Sequence, residues 1–447
     1  MRRRSAPCGG STCARARSSS SCAGCGPPTC WTRPARSSRR SSRPRTRAAY
    51  TQGSADARCR PGGTPPTGGN MQETKTTVRA STLSNGRSLA AYHEDFDRKW
   101  ASAWGRTLTY AQMHANRVVQ SARIVLSHPD IWGKVASGFV NAARGRKRLL
   151  RSLEIAVTYR CNARCEQCSC RRDHDPVREK TELLTLPELQ RVIDEAVDMG
   201  AFQFCINGGE PMLEEARVFA LLDYIKTRHK GYVHLCTNGT LLDDDKVARL
   251  AEHHLDSVEM GFDSAFEDVH DANRVRGGYR KVFHNIEAFR KRGVGVVLNT
   301  ILTNQKVRSD DMLFTMDLAK KHGCMLQVTP CCLTGALRGR MDMMLTEKAR
   351  FYFYWFLAQS TNNRSDLYSS LTRIKCPAGR EKLGLQPYGD VVSCPLIQIR
   401  YGNVREKGLA AIQQDILADP YYGLDGSHGC LPAMSETFIR ERLSGDR

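Results

Sequence analysis

From Leu153 onward, short alternating or β-branched apolar runs trade places with longer stretches in which apolar residues recur every three or four positions. Alternation is the period of a strand, and the longer spacing that of a helix face. Leu153–Thr158 reads as a first strand. Thr185-Leu186-Pro187-Glu188 has the form of a capping box, and Leu189, Val192, Ile193, Ala196 and Val197 then make one helix face, which Gly200 ends. Phe202, Phe204 and Ile206 alternate as a second strand that closes on a glycine pair. The same reasoning predicts a helix over 214–229, a strand over 232–236, a helix over 243–253 and a strand over 257–262. It continues with a helix over 279–292, a strand over 294–302, a helix over 310–322 and a strand over 325–328.

Strands alternating with helices predict a parallel sheet with helices outside it. The six strands fall short of the eight of a full TIM barrel, so the expected fold is α/β, a partial (β/α)6 TIM-like barrel left open. In such folds chemistry gathers at the C-terminal ends of the strands. The expected core is 151–345. Ahead of it, 71–150 is expected to be a helical N-terminal region, with Trp100, Trp104, Leu108, Tyr110, Met113, Val118, Ile124 and Val125 at roughly helical spacing. The run Arg144-Gly145-Arg146-Lys147-Arg148 reads as a solvated linker. Residues 346–447 are expected to form a second, smaller domain. It opens with the aromatic run Phe351–Phe356, part of which is expected to pack on the barrel and part to line its opening.

Composition changes the picture at one place. The net charge is +21, yet residues 1–70 hold fourteen Arg, no Lys and the single acid Asp56, so +13 of it lies there. That segment has no Leu, Ile, Val or Phe and cannot bury enough apolar surface to order itself, so it reads as a disordered leader. It lacks the apolar stretch of a secretory signal. Its Arg/Ser richness matches organellar transit peptides, but Pro27, Pro28, Pro34 and Pro44 break any long amphipathic helix. The favoured expectation is that the protein starts at Met71 and that 1–70 is a gene-model extension. The basic arm lacks interleaved aromatics, so no nucleic-acid partner is expected. No run of about 18 apolar residues exists, so no membrane span is expected.

Six of the 18 cysteines lie in the leader and twelve in the body. A body of this size without a secretory signal does not need disulfides, so clustered cysteines point to metal or redox chemistry. Cys161-Asn162-Ala163-Arg164-Cys165-Glu166-Gln167-Cys168 is C-x3-C-x2-C in a loop after the first strand. Structural zinc takes four ligands, and four-iron clusters are usually held by four cysteines. Three cysteines on such a cluster leave one iron open to a small molecule.

This segment resembles the radical S-adenosylmethionine (radical SAM) enzymes, whose hallmark is that cysteine spacing after the first strand of a partial barrel. The resemblance implies that Cys161, Cys165 and Cys168 hold a [4Fe–4S] cluster and that S-adenosylmethionine chelates its open iron. Reductive cleavage would then give methionine and a 5′-deoxyadenosyl radical that takes a hydrogen atom from substrate. Gly208-Gly209-Glu210-Pro211 is similar to the family's GGEP, with Glu210 accepting from the cofactor's ammonium. Asn238-Gly239 matches its third-strand segment. Phe262-Asp263-Ser264, His270-Asp271 and Arg276-Gly277 resemble the "DG…HD…RG" stretch of peptide-modifying and molybdopterin-pathway members. Asn304 stands where a polar cofactor contact often occurs. The resemblance covers about residues 150–335. It departs at Gln167, where the family usually has an aromatic residue.

Cys376-Pro377-Ala378-Gly379 opens C-x12-G-x4-C, which ends at Cys394 and is followed by Gly402-Asn403-Val404. This is similar to the start of the SPASM and twitch domains, which hold auxiliary clusters. It implies that 346–447 is a cluster-binding domain with a second [4Fe–4S] cluster on Cys376, Cys394 and Cys430. The fourth ligand is left open between none, Cys331, Cys332 and a non-cysteine group. Cys205 and Cys236 read as core thiols, and Cys170 as a bystander. The expectation is a radical SAM enzyme, an oxidoreductase or maturase, abstracting hydrogen from a peptide or small molecule with an oxidative outcome. A flavodoxin or ferredoxin would supply the electron, in a reducing cytoplasm. The alternative is a non-catalytic iron–sulfur or zinc protein that keeps the scaffold.

Overall fold

Residues that alternate between apolar and polar around 153–330 do form strands, because only a sheet puts successive side chains on opposite faces. In the computed structural model these are β1 (Ser152–Ala156), β2 (Gln203–Asn207), β3 (Tyr232–Thr237), β4 (Ser257–Gly261), β5 (Gly295–Leu302) and β6 (Met325–Pro330). They pair in parallel in that order. The structure describes residues 81–143, 150–171, 173–368, 376–422 and 429–443, which all belong to one compact unit, Lys75–Arg447. The leader 1–70, with its expected disorder and start at Met71, and the basic run 144–148 lie outside the described residues.

Helices α1 (Leu89–Ala101), α2 (Ala103–Ser127) and α3 (Trp132–Ala143) precede the sheet. After β1 come α4 (Pro176–Thr181) and α5 (Leu186–Asp198), the latter with the expected Thr185/Glu188 capping box. α6 (Glu215–Tyr224), α7 (Asp244–Glu252), α8 (Glu267–Asn273), α9 (Gly278–Lys291) and α10 (Asp310–Lys321) follow the next strands. α11 (Glu347–Ala358) and α12 (Leu409–Ala418) complete the frame. One face of the sheet is apolar: Leu153, Ile155, Phe204, Ile206, Val233, Leu235, Val258, Met260, Leu298 and Val328 are all buried. The other face carries Glu154, His234, Glu259, Asn299 and Gln327. Buried charges need partners, and they have them: Lys382 bridges Glu154 at 2.9 Å and Asp366 at 3.1 Å, and Arg364 holds Asp366 at 3.0 Å.

The chain after residue 345 supplies both edges of this same sheet. β7 (Asn363–Arg364) pairs in parallel with β6, and β8 (Lys382–Leu385) pairs in parallel with β1. β9 (Asp390–Cys394) and β10 (Ile397–Asn403) continue antiparallel from β8. The order β10-β9-β8-β1-β2-β3-β4-β5-β6-β7 is linear, so the barrel is open. β8 covers the edge hydrogen-bonding groups that β1 would otherwise expose.

The aromatic helix α11 is buried all round, from Ala349 to Ala358, and none of its rings lines an opening. It is sandwiched between the sheet and the N-terminal helices. Phe96 stacks on Phe351 and meets Tyr352 and Trp355 edge-on, and the Trp355 indole donates to Asp95 at 2.9 Å. In α2 only part of the expected apolar pattern turns inward: Met113 is buried, but Trp104 is 70% and Val118 65% exposed, and Leu108 and Tyr110 are exposed as well. Thr109, Asn116 and Gln120 face inward beside Met113. The reason is hydrogen bonding, since the unsatisfied carbonyls at the end of α11 need donors. Asn116 donates to Leu357 O and Ala358 O, and Gln120 to Thr361 O and Asn363 O.

Candidate metal centres

Beyond β1 the chain crosses the C-terminal edge of the sheet as a loop that bears Cys161, exposed, and Cys165 and Cys168, half-buried; all three are free thiols. The loop is clamped from two sides. Gly209 N donates to Thr158 O at 2.8 Å and Glu210 N to Arg160 O at 2.8 Å, prolonging the β1–β2 pairing past the strand ends. A Cβ at Gly208 would lie 2.2 Å from Thr158 O, and one at Gly209 2.2 Å from Arg160 O; Gly208 also has φ +140°. No side chain fits at either position. On the other side Ala336 N donates to Cys168 O at 2.9 Å, and a Cβ at Gly335 would fall 2.3 Å from Cys168 O.

Glu210 is fully buried. Its carboxylate accepts from Met212 N at 3.0 Å, Thr237 Oγ1 at 2.7 Å and Asn238 N at 2.8 Å. Burial pushes its carboxyl up, against those hydrogen bonds. Both oxygens are committed to the chain's own donors, so Glu210 ties the end of β3 to the end of β2. Pro211 opens the short turn Pro211–Glu214 that follows. The tie brings Asn238 over the cysteine loop: its Nδ2 donates to Asn162 Oδ1 at 2.7 Å and stands 4.0 Å from Cys161 Sγ. A hydrogen bond from Cys170 lowers the Cys168 thiol to about 6 despite burial, while burial raises Cys165. Three unbridged thiols on one clamped loop, one of them readily deprotonated, fit a cluster that takes three cysteine ligands.

Residues 155–319 match the Radical SAM superfamily. The chain carries a radical SAM domain. Curated relatives agree: a GTP 3′,8-cyclase of Clostridium perfringens (strain SM101 / Type A) is 32% identical over 38% of this chain and 52% of its own length. The mycofactocin maturase MftC of Mycolicibacterium smegmatis is 28% identical over 54% of this chain and 62% of its own. The chain thus spans about half to three fifths of these relatives' length. Among solved structures, Streptococcus suis SuiB bound to precursor peptide SuiA aligns with TM-score 0.49 at 16% identity, covering 64% of this chain and 69% of that one.

Within the radical SAM domain, Asp263 after β4 is buried and paired bidentately with Arg274, Nε and Nη2 each at 2.9 Å. Burial pushes the Asp263 carboxyl up, but Arg274 outweighs it and leaves the pKa below the usual value. A Cβ at Gly261 would lie 1.9 Å from Arg274 Nη1, so that glycine makes room for the guanidinium. The expected Arg276 is exposed instead. His270 Nδ1 accepts from Asp263 N at 3.2 Å, and burial, then Arg274, lowers its pKa to about 4, which keeps it neutral. Asp271 accepts from Gly277 N and Tyr279 N, capping the start of α9. The motif's residues are thus hydrogen-bonded to one another around the Asp263–Arg274 pair. Lys306, also missed in the sequence, donates to Asp263 O at 2.5 Å and Thr300 Oγ1 at 3.1 Å. Asn304 faces the later chain, donating to Met344 O at 2.9 Å and accepting from Thr346 N at 3.0 Å.

A second set of cysteines lies after β6 (Cys331, Cys332), ahead of β8 (Cys376), at the end of β9 (Cys394) and at Cys430. Burial, then Cys430, pushes the Cys376 thiol up to about 12; burial, with Cys376 and Cys430 adding to it, raises Cys394; and a hydrogen bond from Cys332, with burial, raises Cys430. Cys332 Sγ stands 3.8 Å from Cys430 Sγ. Cys331 is fully buried, and burial pushes its thiol up to about 11. The adjacent pair Cys331-Cys332 could not be split from sequence, because which of two neighbours turns inward depends on where the strand before them ends.

Proposed function

We propose that this chain is a radical SAM enzyme that abstracts hydrogen from a peptide or small-molecule substrate, and that a second iron–sulfur cluster gives the reaction an oxidative outcome. The observation that carries the reading is the C-x3-C-x2-C loop, held over the strand ends by glycines that no other residue can replace. Cys161, Cys165 and Cys168 would hold a [4Fe–4S] cluster. With S-adenosylmethionine on its open iron, that cluster supplies reductive cleavage of the cofactor and hydrogen-atom abstraction.

The chain's own residues prepare the site. Gly208, Gly209 and Gly335 fix the loop backbone. Cys170 stabilises the Cys168 thiolate, and Arg274 adds positive charge near Cys165 and Cys168. Glu210 and Pro211 position Asn238, whose amide faces the loop and is the group we assign to the cofactor. Asp263 and Asn304 act one step further out, by holding Arg274 and the 344–346 segment. Residues 346–447 form the SPASM/twitch-like region, with Cys332 as fourth ligand beside Cys376, Cys394 and Cys430. A closed set of four cysteines suits electron transfer better than substrate binding, which favours oxidation. A flavodoxin or ferredoxin is the proposed donor, in a reducing cytoplasm. Among the described residues no helix is long and apolar enough to cross a membrane.

The test is anaerobic reconstitution of the full chain, with iron and sulfide counts and 5′-deoxyadenosine release under dithionite. We expect about eight irons, falling to about four in the Cys161/Cys165/Cys168→Ala triple variant with loss of 5′-deoxyadenosine. About four irons that vanish in the variant would remove the second cluster and the oxidative outcome. Zinc without cofactor cleavage would leave the non-catalytic alternative.

A further inference from the structure

The polar face of the sheet holds a group of donors that neither cysteine set uses. Cys205 on β2, His234 and Cys236 on β3, and Glu259 on β4 lie on three adjacent parallel strands, with Cys205 opposite His234 and Cys236 opposite Glu259. His234, Cys236 and Glu259 each bring a ligand atom within 4.8 Å of the others. Cys205 Sγ is 3.3 Å from Cys236 Sγ, and His234 Nε2 is 3.2 Å from Glu259 Oε2.

The outward-facing atoms are already taken. His234 Nδ1 is 2.6 Å from Ser257 Oγ, which in turn accepts from Tyr232 OH at 2.8 Å. Asn299 Nδ2 donates to Glu259 Oε1 at 2.5 Å, and Asn207 Nδ2 lies 3.7 Å from Cys205 Sγ. So the second nitrogen of the imidazole and the second oxygen of the carboxylate face each other, each braced from behind and each within 4.8 Å of Cys236 Sγ. That is how residues around a metal orient its ligands. Arg364, close enough to interact with Glu259, offsets part of the anionic charge.

We propose that Cys205, His234, Cys236 and Glu259 bind a zinc ion. Two thiols, one imidazole and one carboxylate form a four-ligand set of the softness that selects zinc over calcium or magnesium. Two thiolates on one tetrahedral zinc stand about 3.8 Å apart, from Zn–S bonds of about 2.3 Å. The 3.3 Å pair reaches that separation by a small side-chain rotation. Four protein ligands leave no open position, so the ion is structural. It staples β2, β3 and β4 close to Asn238, which follows Cys236 by two residues, just past the end of β3.

Zinc content and the zinc K-edge absorption spectrum of the anaerobically reconstituted full chain test this, with iron and 5′-deoxyadenosine read separately. The expected result is about one zinc per chain, with two sulfurs near 2.3 Å and two nitrogen or oxygen neighbours near 2.0–2.1 Å. Cys205→Ser removes one sulfur from that shell. The Cys205→Ser/Cys236→Ser variant loses the zinc and keeps its iron. Three results overturn the proposal: no zinc retained after zinc is supplied; zinc in an all-sulfur shell, which would put it at Cys376, Cys394 and Cys430; or a Cys205–Cys236 disulfide found by mass spectrometry of the native protein. Each is independent of whether the chain cleaves S-adenosylmethionine.

Discussion

The two cysteine groups assigned to iron–sulfur clusters are built in opposite ways. The first sits within eight consecutive residues on a loop at the sheet edge, with Cys161 exposed. Its geometry is imposed from outside, by glycine backbone at 208, 209 and 335. The second draws its thiols from three distant stretches of chain, around 332, 376–394 and 430, with Cys332 and Cys430 buried and Cys376 and Cys394 half-buried. A local group has its spacing written in the chain and needs only a seat. A dispersed group exists only once β8 has joined the edge of β1 and the loop after β6 has met Cys430. The first is therefore the more sensitive to its backbone seat, and the second to the packing of the whole sheet.

The largest effect should come from the ligands. Cys165→Ala is expected to remove the iron of the first group and take 5′-deoxyadenosine release below detection, while iron at the second group persists. If both irons go, the two groups are not independent. Next comes the Asp263–Arg274 charge pair, whose guanidinium, against burial, lowers the Cys165 and Cys168 thiols. Arg274→Met leaves the Asp263 carboxylate buried without a partner and should cost about 3–5 kcal/mol in chemical denaturation. A loss below about 1 kcal/mol would show that water reaches the pair.

Gly209→Ala drives a methyl into Arg160 O and is expected to cost about 3 kcal/mol. Its iron should be lost from the first group only, which sharpens the contrast between a seated and a packed site. His270 gives a smaller, pH-dependent effect. Its folded pKa of about 4 is below the unfolded value, so the unfolded chain takes the proton first. The stability it confers is present above about pH 6.5 and is lost as pH falls toward 4, roughly 3 kcal/mol in all. A His270→Gln variant should flatten that part of the pH profile of the melting temperature; an unchanged profile would mean that His270 is solvated. The smallest effect separates neighbours at the second group: Cys331→Ser should leave the iron count unchanged, whereas Cys332→Ser should lower it or alter the cluster's electron paramagnetic resonance signal.

Much of this was legible before any coordinates. Periodicity located β1 to β6 and α5, α6, α7, α9 and α10, but not the short α4 and α8, because period 2 and period 3.6 are properties of neighbouring residues and a helix of one or two turns shows too few of them. The thiols of the first loop and the glycine pair were legible for the same reason. What the glycines do was not: they approach the carbonyls of Thr158 and Arg160, a contact across more than forty residues of chain. Glu210 was expected to accept from a bound cofactor's ammonium. Its place, inside a set of hydrogen bonds to Thr237, Asn238 and Met212, depends on the alignment of β2 with β3.

The tertiary structure alone decided the rest. Arg274 rather than Arg276 meets Asp263, because the end of α8 turns residue 274 inward past Gly261. The polar side of α2 faces the protein because the end of α11 lacks hydrogen-bond donors. Cys332 stands beside Cys430, and Cys205 beside Cys236 with His234 and Glu259, only because strand register brings them together. The chain's local pattern determined which elements form and which loop carries the first thiols, since those depend on residues a few positions apart. Pairing order and register determined which distant side chains share a site, since that depends on contacts no local period encodes.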